Sequence, residues 1–310
     1  MKRFQLQYNH RKILADTVTP VSAYLSLRDH FSTSLLLESS DYHGTENSYS
    51  YICFDPLSSF KASGRQVTIE YPDGSEQQRD LTKPGEILQQ LKDYAGLFQT
   101  ASDKHKCISN GLFGYMSYDA VTYFEDIKFD DHKKGETEIP EILYSIYRFT
   151  VVVDHFSNEL HVFEHYTDQD PPQSEYSIDR IVQLIKSRRY PSYFFKTSGQ
   201  EQSNVTDQEY IEMVKKGIQH CLRGDVIQIV LSRLFKTSFH GDEFNVYRVL
   251  RSINPSPYLF YFDYGNYKIW FFWGIGILFQ ALGTFGLPLF LSKDWEERKI
   301  KEYLNEENRK

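Results

Sequence analysis

The stretch YRFTVVVDHFSNELHVFEHY, residues 147–166, reads as two runs of β-branched and aromatic residues joined by a short polar turn around Ser157 and Asn158. Two such runs with so little between them form an antiparallel hairpin, because a parallel return would need a crossover of a dozen residues or more. Antiparallel sheet is therefore the expected framework. Upstream, TPVSAYLSLRDH from Thr19 places Val21, Tyr24, Leu25 and Leu27 near helical spacing, with Pro20 in the first turn, where its missing N–H is harmless. Leu35–Leu37 then reads as strand. Downstream, TDQDPPQSE from Thr167 and the polar run Thr197–Asn204 have the composition of linkers, with a helix expected between them over Ile178–Ser187.

A further helix starts at Thr206, where Thr206 and Glu209 form a capping box and Val205 and Tyr210 a hydrophobic staple. Tyr210, Met213, Val214, Gly217, Ile218 and Cys221 fall on one stripe, expected to be core, and Gly224 stands where a left-handed C-terminal cap belongs. The run Val226–Leu231, VIQIVL, is short and apolar, as a strand covered on both faces would be, with Gln228 its lone polar residue.

The 310 residues are 40% hydrophobic and 16% aromatic, enough for a packed interior. A net charge of −7, without a long Lys/Arg block, excludes a nucleic-acid backbone as principal partner. Cys53, Cys107 and Cys221 are odd in number and lack CxxC spacing, which argues against a disulfide framework or a cysteine zinc site and fits a reducing cytoplasm. The N-terminus has no apolar core of signal-peptide length.

From Trp270 to Leu291 no residue is charged, and that length is about what crosses a hydrocarbon core ~30 Å thick. The mixed-charge stretch that follows is a helix former. His161-Val-Phe-Glu164-His165 matches the inverted zincin pattern, but in a strand residues four apart are separated by ~13 Å, too far to share an ion with bonds of ~2 Å. These read as sheet histidines, and no metal site is assigned. The GIG at Gly274–Gly276 lacks a third glycine, and neither a GxSxG nor a Walker loop occurs.

Two polar groups in apolar company stand out. Glu38-Ser39 closes the run Leu35–Leu37, and Asn254-Pro-Ser-Pro-Tyr258 precedes Leu259-Phe-Tyr-Phe262. A carboxylate at a strand end can meet a ligand's ammonium, since a buried one needs a cation, and two prolines around Ser256 stiffen a turn able to present backbone groups. A surface glutamate and a plain loop are the alternatives.

With these in view, DTVTPVSAYLSLRDHFSTSLLLESSDYHGTENSYSYICFDP from Asp16, NGLFGYMSYDAVTYFEDI from Asn110, GDVIQIVLSRLF from Gly224 and INPSPYLFYFDYGNYKI from Ile253 together resemble anthranilate synthase component I, over about Arg11 to Ile269. The GDVIQIVL-like strand is shared with aminodeoxychorismate, isochorismate and salicylate synthases, while the LLLES and NPSPY pair resembles the tryptophan feedback site of anthranilate synthase. Gln228, where water-using relatives carry Lys, fits an ammonia-using enzyme and is a possible active-site strand residue. Aminodeoxychorismate synthase component I is the alternative.

The resemblance implies a cytoplasmic, Mg²⁺-dependent lyase of tryptophan biosynthesis that adds ammonia to chorismate and eliminates pyruvate, with ammonia from a glutamine amidotransferase subunit, component II. It implies that Glu38 and Ser39, with Pro257, Tyr258 and Leu259, hold the inhibitor tryptophan, Glu38 facing its ammonium. Leu259 stands where some members carry Met, a volume-conserving change. The implied fold is α+β, antiparallel sheets flanked by helices, with residues 1–198 the tryptophan-binding part and 206–269 the opening of a chorismate-binding part. After Ile269 the sequence departs from the family's pattern, so the family's catalytic residues and Mg²⁺ ligands are absent from 270–310. That departure leads us to expect an interrupted frame, a fold incomplete on its C-terminal side and a chain inactive by itself. The other reading is a non-catalytic tryptophan- or partner-binding module tethered to a membrane by 270–291.

Overall fold

The structure, a computed structural model, describes residues 3–39, 48–83, 85–100, 105–127, 139–172, 176–253, 256–264 and, by backbone, 267–271. The GIG run, 272–291 of the charge-free stretch, the helix-forming stretch after it and Asn254-Pro255 lie outside these residues.

In chain order the elements begin with β1 (Phe4–Leu14), α1 (Pro20–Leu27), β2 (Thr33–Ser39), β3 (Tyr49–Ser63), β4 (Gln66–Glu70) and β5 (Glu76–Asp80). Then follow α2 (Glu86–Ala95), β6 (Phe98–Thr100), β7 (Phe113–Met116), β8 (Ile142–Asp154), β9 (Glu159–Tyr166) and α3 (Ile178–Ser187). The last are β10 (Phe195–Ser203), α4 (Asp207–Arg223), β11 (Phe235–Gly241), α5 (Phe244–Ile253), β12 (Tyr258–Tyr264) and β13 (Tyr267–Phe271).

The expected hairpin is β8–β9, and Asn158 in its turn takes a positive φ of 53°, which asparagine tolerates better than most side chains. It sits at the centre of a large sheet in the order β13-β12-β2-β3-β8-β9-β1-β6, with β4 and β5 extending β3 and β7 pairing β8. These neighbours are antiparallel except β1 and β6, which run parallel. β8 is buried on both faces from Ser145 to Val153, as a central strand of continuous apolar character must be. β3 is irregular between Pro56 and Ser58, and Asp55 just before takes a φ of 60°, its carboxylate accepting from Arg148 Nε at 2.9 Å. That buried guanidinium also binds Asp170, so one cation holds the bend.

α1 starts at a capping box of Thr19 and Ser22 and buries Val21, Tyr24, Leu25 and Leu27, the four residues whose spacing marked it. It lies beside α3 against the sheet, α1 touching β2 and β3, α3 touching β9 and β1. The α+β class is that expected, and all three cysteines are unbridged.

The chain divides into two compact units, one running to Tyr190 and resuming after Ile253 with β12 and β13, the other Pro191–Ile253. The segment 206–269 is thus split: β12 pairs with β2 and belongs to the first unit's sheet.

The second unit corrects three expectations. Thr197–Asn204 is not a linker: Phe195–Ser203 forms β10, paired with β11 in a two-stranded ribbon whose two open faces suit polar side chains. Val226–Leu231 is not a strand. A strand needs a partner ladder for its backbone groups, and among the described residues none runs beside it. The run instead lies over α4 at Gly217, where an added Cβ would sit 3.3 Å from Ile229 and 3.4 Å from Leu231, and Tyr210 donates to the Leu231 carbonyl at 3.4 Å. On α4 only Gly217 is buried, so the stripe is half covered, and Ile227 stays 81% exposed. The capping box of Thr206 with Glu209 and the left-handed Gly224 cap, φ 79°, stand as expected.

Candidate functional site at the pairing of β2 and β12

The two motifs singled out above meet in one ladder. β12 runs antiparallel to β2, with Leu259 opposite Glu38 and Tyr258 opposite Ser39. Alternation along a strand sends adjacent side chains to opposite faces. Glu38 and Leu259 therefore share one face with Leu36 and Tyr261, all buried, while Ser39 and Tyr258 belong to the other. Glu38 is 5% exposed and Leu259 3%, but Tyr258 is 75% exposed and Pro257 also faces solvent. So the structure brings Glu38 and Leu259 together, puts Pro257 just before the strand, and separates Ser39 and Tyr258 from them as side chains.

The turn before β12 is fixed by Ser256, which is buried, donates to the Tyr258 carbonyl at 2.7 Å and accepts from its N–H at 3.3 Å. On the Glu38 face, Tyr24 of α1 contacts Ser34 Oγ at 2.9 Å and meets Tyr261 edge-on at 5.8 Å, packing the helix over both strands.

Two residues at this end of β2 escaped sequence reasoning. The Ser39 backbone N–H donates to Ser50 Oγ at 3.1 Å, and Ser50 Oγ lies 2.7 Å from His155 Nε2. Burial lowers the His155 pKa, opposed by Asp154, so the ring is neutral at pH 7. Only the β3–β8 pairing, with Ser50 opposite Val153, brings these groups together, and no local spacing signals it.

The opposite face is a tyrosine- and phenylalanine-rich cluster of Leu35, Cys53, Phe113, Tyr147 and Phe262 with Tyr51 and Tyr264 against it. Burial pushes the Tyr51 phenol up to about 12 and raises Tyr147 and Tyr264 further, so these groups stay neutral. Gln228 lies in the second unit, in the irregular run over α4, and is half-buried.

Mg²⁺ demands a near-octahedral shell of oxygen ligands. Among the described residues the side chains grouped closely enough to hold a metal are three histidines, His10, His105 and His161, whose donors do not suit that ion. His161 and His165 lie in strand β9, and the metal-capable group includes the first without the second.

Comparison with known proteins fits this arrangement. A sequence profile described as "chorismate binding enzyme" matches residues 35–272, and one described as "2TM domain" matches 244–305. Among the described residues no helix is long and apolar enough to cross a membrane. Anthranilate synthase component 1 of Aquifex aeolicus is 29% identical over 276 residues, 84% of this chain and 53% of that protein. The chloroplastic anthranilate synthase alpha subunit 2 of Arabidopsis thaliana is 29% identical over 278 residues, 81% of this chain and 44% of that protein. The crystal structure of anthranilate synthase component I from Streptococcus pneumoniae TIGR4 superposes with a TM-score of 0.50 at 22% identity, covering 84% of this chain and 57% of that one, and shows the same fold. The chain spans about half the length of the relatives it matches. With a match that begins on β2 and runs through β12, the chain belongs to the chorismate binding enzyme family, and within that family it is similar to anthranilate synthase component I.

Proposed function

We propose that this chain is the tryptophan-binding part of an anthranilate synthase component I, with the opening of the chorismate-binding part in Pro191–Ile253. The observation that supports the reading above others is the register of Glu38 opposite Leu259. Two motifs more than two hundred residues apart in sequence are joined side by side, a buried carboxylate next to a buried apolar side chain. Such a pair suits a ligand with an ammonium and a large apolar group, the chemistry of an aromatic amino acid. Glu38 takes the ammonium, Leu259 and Pro257 take the indole, and Ser39 fixes the end of β2, its backbone N–H donating to Ser50 Oγ and its hydroxyl lying 3.2 Å from Ser48 Oγ. Tyr258 belongs to the other face and contributes through the turn before β12, where its backbone is held by Ser256.

The activity of the whole enzyme, amination of chorismate with loss of pyruvate to give anthranilate in tryptophan biosynthesis, belongs to this proposal, as do tryptophan feedback, the glutamine amidotransferase partner, the Mg²⁺ requirement and a cytoplasmic site of action. These 310 residues by themselves bind and do not turn over, because residues 270–310 depart from the family's pattern where its catalytic residues and Mg²⁺ ligands are expected. Calorimetry with tryptophan, alongside an assay for anthranilate from chorismate, ammonia and Mg²⁺, tests this: binding without turnover is expected, with binding lost in Glu38→Ala and Ser39→Phe. Turnover by the purified chain would overturn the division of labour, and absence of tryptophan binding to a folded chain would overturn the site.

The match of 244–305 to the 2TM profile, with the charge-free run 270–291, favours a second reading in which that run tethers the module to a membrane. Detergent-dependent solubility that disappears on deleting 270–291 would support it, and unchanged solubility would end it.

A further inference from the structure

β1 and β9 pair with His10 opposite Phe163 and Lys12 opposite His161, so His10, His161 and Phe163 share one face of the sheet. His105 stands against the same spot. Its ring centroid is 4.3 Å from His10, 5.1 Å from Phe163 and 6.1 Å from His161. The rings of His10 and His161 are nearly parallel at 5.3 Å, and His10 Nε2 lies 3.1 Å from His161 Nδ1. One nitrogen from each of the three histidines can be chosen so that all lie within 4.8 Å of one another. All three are half-buried, and Phe163, fully buried, forms the apolar floor on which His10 stacks at 4.7 Å.

We propose that His10, His105 and His161 form a binding site for a late first-row divalent ion, Zn²⁺ or a similar metal, unrelated to the β2–β12 site. Imidazole nitrogens favour zinc, copper and nickel over magnesium and calcium. Tetrahedral bonds of ~2.0–2.1 Å place ligand nitrogens ~3.3 Å apart, so the observed spacing closes with side-chain movements of about an ångström and leaves a fourth position for water. A carboxylate already backs one ligand: Glu159 Oε2 is 3.6 Å from His161 Nε2, the nitrogen facing away from His10, and its other oxygen is held by Lys12 at 2.8 Å. Such a carboxylate orients the ring and raises its basicity toward a metal. Strand spacing rules out a shared ion for His161 and His165, but says nothing against His161 with residues from β1 and a separate loop.

The test uses the full chain, stripped with a chelator, titrated with Zn²⁺ in a calorimeter and with Co²⁺ in a visible spectrometer. The expected result is one ion per chain and the intense visible bands of four-coordinate Co²⁺. His10→Gln and His161→Gln should each weaken binding tenfold or more, while His220→Gln, altering a half-buried histidine of the second unit, leaves it unchanged. Should a variant fail to fold, histidine modification by diethyl pyrocarbonate on the unaltered chain decides: Zn²⁺ should protect His10, His105 and His161 together. Absence of binding, binding that survives the double variant His10→Gln/His161→Gln, a weak octahedral Co²⁺ spectrum, or no protection of the three residues would each overturn the site.

Discussion

Glu38→Gln is the perturbation that bears most directly on the β2–β12 site. The substitution keeps the shape of the side chain and removes its charge. Glu38 is 5% exposed, so its interaction with a bound ammonium is little screened by solvent. Removing one partner of a buried ion pair costs about 3–5 kcal/mol, and at about 1.4 kcal/mol per decade the affinity for tryptophan should fall by roughly two to three and a half orders of magnitude. The assay is calorimetric titration of purified wild type and variant, with indole-3-propionate, which lacks the ammonium, as second ligand. The variant should lose its preference for tryptophan over that acid, because the discriminating charge is gone. A far-UV spectrum matching wild type separates lost binding from lost fold. A tryptophan affinity within threefold of wild type would refute the assignment of Glu38 to the ammonium, whatever happens elsewhere. Leu259→Ala is the useful contrast: it opens a cavity in packed surroundings and should cost about 2–5 kcal/mol of fold stability in urea, before any ligand is added.

Arg148→Met should destabilise the first unit by about 2–3 kcal/mol, below the usual figure for a fully buried pair because Asp55 and Asp170 keep some exposure. Asp55 already has a pKa raised by burial against the pull of Arg148; without that cation it rises further. A raised carboxyl pKa favours the folded state at low pH and loses that contribution as pH rises through it, so urea midpoints should show a larger deficit at pH 7 than at pH 4.5. For His155 the folded-state pKa is lowered, so the unfolded chain binds the proton more readily. Stability should decline as pH falls below about 6.5, and His155→Gln should flatten that slope in thermal melts from pH 7.5 to 5.5. Gly114→Ala puts a methyl group into the Leu143 carbonyl and 2.8 Å from Tyr144 Cα, and with backbone on both counts it should cost about 3 kcal/mol or more of stability by urea titration.

The parts of this fold legible in sequence are those set by local chemistry. The β8–β9 hairpin follows from β-branched runs around Asn158, α1 from the spacing of Val21, Tyr24, Leu25 and Leu27 behind Pro20, and α4 from the capping box of Thr206 with Glu209, while the caps at Thr19 and Ser177 are seen in the structure. Val226–Leu231 misled because its composition describes an environment, two covering faces, that these residues do not have; the preference is real and the partner strand is missing among the described residues. Thr197–Asn204 misled in the other direction, since a ribbon open on both faces can be as polar as a linker. At the candidate site, resemblance pointed to Glu38, Ser39, Pro257, Tyr258 and Leu259, but only the register separates Glu38 and Leu259 from Ser39 and Tyr258. Ser50 and His155, like the group of His10, His105 and His161, are assembled by pairings distant in sequence and leave no pattern along the chain.

Because β2 and β12 are neighbours in one sheet while Pro191–Ile253 lies between them in the chain, the second unit is an insertion, and order of synthesis matters. A nascent chain that has emerged only as far as Tyr190 presents β2 as a bare edge, its apolar LLLES run open to pairing with other chains. The edge is closed when β12 arrives, and the same event completes the proposed ligand face. An amino acid bound across Glu38 and Leu259 would therefore act as a clasp on β12. Its presence during translation or refolding should raise the yield of soluble chain, beyond any effect on the finished protein.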